Sequence, residues 1–276
     1  MKADIKAIAI DMDGTWLRSD CSISEETKEA VQRAADAGYL VIPTTGRSFR
    51  NASTVLKDYR GLRYYINANG TTFTDGKEGK LLFSRSMPYA MAKEIYDLTN
   101  QYSCFVEIYE GMDAYVDPFG REFLYSTGLG RDYCDQLLST NCTLKSLDDF
   151  MEEEGRQVCK YHIVCANSDQ KNQLKRRIAQ VEGAYPISTF SQNIEVVYGH
   201  HSKADGLRAA CEHLGLRQEE IMAIGDSDND YDMIAWAGLG VAMGNGNDRV
   251  KSAADYISSS NDEDGVARAL KECLGI

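Results

Sequence analysis

An α/β fold, a doubly wound parallel sheet interrupted by a second α/β domain, is predicted by three features of the 276-residue sequence. Short apolar runs alternate with helical periodicities at both ends of the chain. Two of those runs end in clusters of carboxylates, and the middle of the chain has a different, hairpin-containing texture. Alternating β and α segments of this size bury a parallel sheet between helices.

The opening run, Ile5 to Ile10, reads as a strand. After it, Ser22 and Glu25 have capping-box spacing, and Ala30, Val31, Ala34 and Ala35 give the helix an apolar stripe that Gly38 ends. Tyr39 to Ile42, closed by Pro43, supplies a second strand, and a helical crossover makes that pair parallel. Towards the other end, a helix from Ser202 to His213, a strand Ile221 to Ile224, a helix around Tyr231 to Trp236 and a strand Leu239 to Ala242 repeat the theme. A short strand at Tyr256-Ile257 and a helix from Val266 to Leu274 follow. Between them, Phe105 to Val116 reads as two strands around Glu110-Gly111, and helical patterns lead to an isolated strand, Lys160 to Val164. The expected division is a core of residues 1–82 and 199–276 with an inserted domain at 83–198, which the length accommodates.

A composition of 43% hydrophobic and 26% charged residues is that of a globular chain. The net charge of −12 opposes binding to nucleic acid or an anionic membrane, both of which reward a basic face. A few local cations or a metal ion can still reverse the potential inside one cleft, so a small anionic partner stays open. The first apolar run, cut short by Asp11 and Asp13, is too short for a signal-peptide core or a bilayer span, which leads us to expect a cytosolic protein. Eight cysteines lie between Cys21 and Cys273 without a C-x-x-C, and we expect reduced packing thiols. Cys159, His162 and Cys165 have the residue types of a zinc site but sit in an alternating strand-like run, where core packing is the better reading.

Chemistry enters at the strand ends. Asp11 and Asp13, in Asp11-Met12-Asp13-Gly14-Thr15, are two apart and point the same way, at the sheet edge where open α/β folds bind ligands. Two such like charges repel unless a cation or a shared proton lies between them; a solvated acidic turn is the plainer alternative. The second cluster, Gly225-Asp226-Ser227-Asp228-Asn229-Asp230, also follows an apolar strand. It begins like a calcium EF-hand, but the required glycine is Tyr231 and the bidentate glutamate is Ala237. Helix capping is possible, although four carboxylates by Asp232 exceed what a cap needs. If neighbouring strand ends bring Asp11, Asp13 and Asp226 together, their hard oxygens suit Mg²⁺. Thr45-Gly46-Arg47 after the second strand and Lys203 at a helix start could neutralise a phosphate, each alone being weak. Neither the mononucleotide nor the dinucleotide glycine motif is present.

Together these residues resemble the haloacid dehalogenase-like hydrolases, and among them the Cof-like sugar phosphatases. The family's D-x-D-G-T, T-G-R and N-G match Asp11 to Thr15, Thr45 to Arg47 and Asn69-Gly70. Its S-K, G-D-x-x-N-D-x-x-M and A-M-G-N match Ser202-Lys203, Gly225 to Met233 and Ala242 to Asn245. The resemblance implies a Rossmann-like core with an inserted α/β cap, and a Mg²⁺-dependent phosphatase acting on a small phosphorylated metabolite. It also implies that Asp11 is the nucleophile and Asp13 the acid and base. Thr45, Gly46, Arg47, Asn69, Lys203 and Asn229 would hold phosphate or substrate. Asp11, the Asp13 carbonyl and Asp226 would be metal ligands, and Asp230 would support the metal from behind or orient Lys203. A phosphomutase and a non-catalytic sensor remain alternatives, whereas a transport ATPase is opposed by the lack of membrane spans. Trp16, His200, His201 and Gly246 depart from the family pattern and are expected at the pocket mouth.

Overall fold

The computed structural model describes residues 4–188 and 190–276. The chain first supplies β1 (Ala7–Ile10), α1 (Glu25–Asp36), β2 (Leu40–Pro43), α2 (Phe49–Val55), β3 (Tyr64–Asn67), β4 (Thr72–Asp75) and β5 (Lys80–Ser84). Its middle supplies α3 (Tyr89–Thr99), β6 (Cys104–Glu110), β7 (Asp113–Val116), α4 (Pro118–Ser126), α5 (Arg131–Leu138), β8 (Cys142–Thr143) and α6 (Leu147–Glu152). There follow β9 (Val158–Cys165), α7 (Ser168–Ile178), β10 (Ala184–Ile187) and β11 (Asn193–Tyr198). The last part supplies α8 (Lys203–Leu214), β12 (Ile221–Gly225), α9 (Tyr231–Trp236), β13 (Leu239–Ala242), α10 (Asp248–Ala253), β14 (Tyr256–Ile257) and α11 (Gly265–Leu274).

Two compact units result. The first takes the described residues up to Arg47, Val55–Phe83 and Ser202–Ile276, and the second takes Ser48–Thr54 and Ser84–His201. Ser48–Thr54, expected within the core stretch, clusters with the second unit because Arg50 pairs with Asp113 at 2.5 Å and the Asn51 amide donates to Thr140 at 2.9 Å.

The first unit is built on a parallel sheet of order β14-β13-β12-β1-β2. All four residues of β1 are buried, as a central parallel strand covered on both faces requires. Ala7, Ala9, Ile221 and Ala223 pack with Ala204 and Leu207 of α8 and Met233 of α9, while α1 lies against α11. The N-cap of α1 is Ser24, whose hydroxyl accepts from the Thr27 N–H, and not the expected Ser22, which donates instead to Asp20. A three-stranded sheet, β3-β4-β5, completes this unit.

The second unit carries a six-stranded sheet of order β10-β11-β9-β6-β7-β8. The strand expected to be isolated, β9, is instead central: it is antiparallel to both β6 and β11 and wholly buried. One face packs on α3, α6 and α7 through Ile95, Met151 and Leu174, and the other meets α4 and α5 through Phe105, Leu124 and Leu138. Cys159 and Cys165 are buried in this strand, and the Cys159 thiol donates to the Tyr109 carbonyl at 3.2 Å. Among the described residues no helix is long and apolar enough to cross a membrane.

Candidate active site

The register of the central strands builds the site. β1 and β12 run side by side with Ala7 opposite Ile221 and Ile10 opposite Ile224, so the chain leaves both strands at the same level. Asp11 follows one strand and Asp226 the other, and the Asp11 N–H still donates to the Ile224 carbonyl at 3.0 Å. Asp11, Asp226 and Asp230 each place a carboxylate oxygen within 4.8 Å of the others. Gly14 makes this approach possible: its φ is +81°, and a Cβ there would lie 2.6 Å from Asp226 Oδ2.

Lys203 lies among these acids. Its ammonium, 1% exposed, is paired with Asp11 and with Asp230, the latter at 2.6 Å. α8 delivers it, capped by reciprocal bonds between Ser202 and Asp205. Gly70 lets the turn after β3 come against this helix start: its φ is +87°, and a Cβ would sit 2.9 Å from Lys203 Cα. That turn presents Asn69, whose Oδ1 accepts from Asn229 Nδ2 at 3.4 Å.

The electrostatic consequence is an excess of negative charge. Burial, and then Asp230, raise the Asp11 carboxyl well above the usual carboxylate range, with Lys203 opposing. Burial and Asp230 also push Asp226 up to about 6, opposed by the hydroxyl of Thr15, which donates to it at 2.9 Å. Burial alone would lower Lys203, but Asp11 and Asp230 outweigh it and raise it. Three carboxylates around one ammonium, with hard oxygens close together, fit a divalent cation, which relieves the repulsion.

The expected site residues are sorted by this geometry. Asp11, Asp226, Lys203 and Asp230 come together. Asp230 is already committed through one oxygen to Lys203 and through the other to the Asp226 and Ser227 N–H groups, at 3.0 Å each, so it braces the others. Thr45 is fully buried at the end of β2, with its N–H on the Ile66 carbonyl at 2.9 Å, and Gly46 follows it. The Asp13 carboxylate does not join the buried acids; it turns to Arg47. Trp16 is not at a pocket mouth: it is 2% exposed and its indole donates to the Tyr59 hydroxyl at 2.8 Å. Thr15, which was given no role from sequence, steadies Asp226, and its place inside the D-x-D-G-T motif was the available signal. Asn245, whose amide donates to the Gly14 carbonyl at 2.8 Å, holds the same loop.

A family profile described as haloacid dehalogenase-like hydrolase matches residues 8–270. Two Bacillus subtilis proteins named 5-amino-6-(5-phospho-D-ribitylamino)uracil phosphatase, YitU and YcsE, are each 32% identical to the chain. They align over 98% and 97% of this sequence and 97% and 95% of their own. The crystal structure of a haloacid dehalogenase-like hydrolase from B. subtilis superposes with a TM-score of 0.81 at 27% identity, covering 97% of this chain and 99% of that one. With the strand-end acids, the buried lysine and these matches in agreement, the chain belongs to the haloacid dehalogenase-like hydrolases and is a phosphatase among them.

Proposed function

We propose that this phosphatase is Mg²⁺-dependent and hydrolyses small phosphate monoesters through an aspartyl-phosphate on Asp11. The observation that carries this reading is the buried Asp11 carboxylate, held by Lys203 beside Asp226 and Asp230. Fixing the carboxylate aligns an oxygen for in-line attack, and covalent catalysis splits the hydrolysis into two easier displacements. Thr45, the Gly46 backbone, Asn69 and Asn229 line the same sheet end and are suited to hold phosphate oxygens, with Lys203 offsetting their charge. Asp13 gives a proton to the leaving oxygen in the first step and takes one from water in the second. Asp11, Asp226 and the Asp13 carbonyl would hold the Mg²⁺, which supplies charge neutralisation for the transferring group.

None of these groups lies in the second unit, so we assign it the choice of ester. The substrate named for the two B. subtilis relatives, a phosphate on a ribityl chain, is the first candidate in a sugar-phosphate-like class. Eight cysteines, five of them buried, suit the reducing cytosol. The test is phosphate release with Mg²⁺ from that ester, hexose phosphates and pentose phosphates, alongside Asp11→Asn. That variant is expected to fold and lose at least about 10³-fold in kcat, because an amide cannot form the intermediate. Retained turnover in Asp11→Asn would refute the covalent step.

A further inference from the structure

The group assigned to proton transfer is not left to find its own orientation. The Asp13 carboxylate receives two bonds from one guanidinium, Arg47 Nε to Oδ2 at 2.8 Å and Nη2 to Oδ1 at 2.5 Å. The Asp13 side chain is 55% exposed and that of Arg47 only 14%, so the better-buried member fixes the freer one. Arg47 is itself anchored through its backbone. Its N–H donates to Thr45 Oγ1 at 3.1 Å, and its carbonyl accepts from the Ala68 N–H at 2.9 Å. The clamp on Asp13 is therefore built on the loop that also carries Thr45.

Two parallel N–H···O bonds set the plane of a carboxylate, which a single point charge does not. Asp13 follows Met12 in a turn, beside Gly14 at φ +81°, and more than half of its side chain is open to solvent. Proton transfer needs the carboxylate oxygen about 3 Å from its partner, and an error near 1 Å costs about 10²-fold. We infer that Arg47 is a positioning residue for Asp13: it acts on the reaction through the orientation of that carboxylate and not by holding the phosphate. The inference rests on the reading of Asp13 as the proton-transfer group.

The two chemical steps separate the roles. In the first, an Asp11 oxygen bonds to phosphorus while the bond to the leaving oxygen breaks; p-nitrophenolate leaves as the anion and requires no proton. In the second, the water oxygen bonds to phosphorus and gives its proton to Asp13. The phosphorus–Asp11 bond breaks, and its electron pair returns to the Asp11 carboxylate. With p-nitrophenyl phosphate, only the second step needs an oriented Asp13.

The test measures both steps for the full chain with Mg²⁺ in wild type, Arg47→Met, Asp13→Asn and the double variant. Single turnovers with enzyme in excess read p-nitrophenolate formation, and steady-state assays read phosphate release. In Arg47→Met the single-turnover rate is expected within about 3-fold of wild type, and steady-state kcat about 30–100-fold lower without a rise in KM. The double variant is expected to be no slower than Asp13→Asn, since a residue that acts through another has nothing left to lose. Arg47→Lys, which keeps the charge without the fork, should fall between wild type and Arg47→Met, and it carries the comparison if the methionine variant fails to fold. The inference is overturned if the single-turnover rate falls in step with kcat while KM rises, or if the two substitutions multiply. Full turnover in Asp13→Asn overturns the acid–base reading and this inference with it; an impaired Asp13→Asn whose effect multiplies with Arg47→Met overturns this inference alone.

Discussion

Each unit buries a group of ionisable side chains, and the two groups are built to different rules. In the second unit Glu107, 2% exposed, accepts from Asn141 Nδ2 through one oxygen at 2.6 Å. Its other oxygen lies 3.0 Å from the Tyr109 hydroxyl and 3.0 Å from His162 Nδ1. Nearby, Lys160 lies 3.6 Å from Glu195 and 4.2 Å over the Tyr109 ring. Burial and then Glu107 raise the Tyr109 phenol far above its ordinary value, so it stays a neutral donor. Every oxygen of Glu107 has a partner and the acids do not outnumber what faces them. At the end of β1 and β12, by contrast, three carboxylates share one lysine. A buried acid is thus no sign of chemistry by itself; an uncompensated excess of like charge is.

The comparison can be broken first at Glu107. Its removal in Glu107→Ala takes the partner from the buried Tyr109 hydroxyl and His162 ring and from the half-buried Asn141 amide, and the expected loss is about 3 kcal/mol of stability, read by denaturant unfolding. A loss under about 1 kcal/mol would mean that the second cluster is as loosely matched as the first. At Asp226 the sign should reverse. A carboxyl whose pKa is raised by the fold contributes stability that is complete below its unfolded pKa and is lost as pH rises through the folded value, here about 6. Without metal, Asp226→Asn should therefore match wild type near pH 4 and exceed it above pH 6, by on the order of 1 kcal/mol. If Asp226 holds Mg²⁺ as proposed, saturating Mg²⁺ should erase or invert that advantage, because the ion would bind the carboxylate and not the amide. Thermal melts across pH, with and without chelator, decide it. The smallest effect is expected for Tyr109→Phe, a loss of roughly 0.5–1 kcal/mol, since His162 and Asn141 still serve Glu107.

Much of this was legible in the sequence because it is local. The apolar runs ending in Asp11 and Gly225 gave both the parallel sheet and the level of its reactive edge, and Ser202-Lys203 gave the start of α8. What stayed hidden depends on partners far along the chain. Nothing around Trp16 announces Tyr59, whose hydroxyl turns an expected pocket residue into a buried one. Ser22 and Ser24 both precede acidic residues, and the choice of Ser24 as cap is made with the help of Asp264, which its hydroxyl also contacts. β9 looked isolated because its partners, β6 and β11, lie on either side of it with helices between. The direction of the Asp13 carboxylate was equally unreadable, since it depends on which rotamer reaches Arg47, 34 positions away.

The placement of β1 has a further consequence, for biosynthesis. Its flank towards β2 is filled early, but the other waits for β12, and the Lys203 that meets Asp11 comes 192 positions later. At about 5–20 residues per second, a translating ribosome leaves that flank of a wholly apolar strand open for on the order of ten seconds or more. Unpaired apolar edges invite association with other chains. The strand that leads into Asp11 is therefore exposed along one edge through most of synthesis, and an interrupted product that stops before β12 lacks both Lys203's partner Asp230 and the strand end that brings Asp226 beside Asp11.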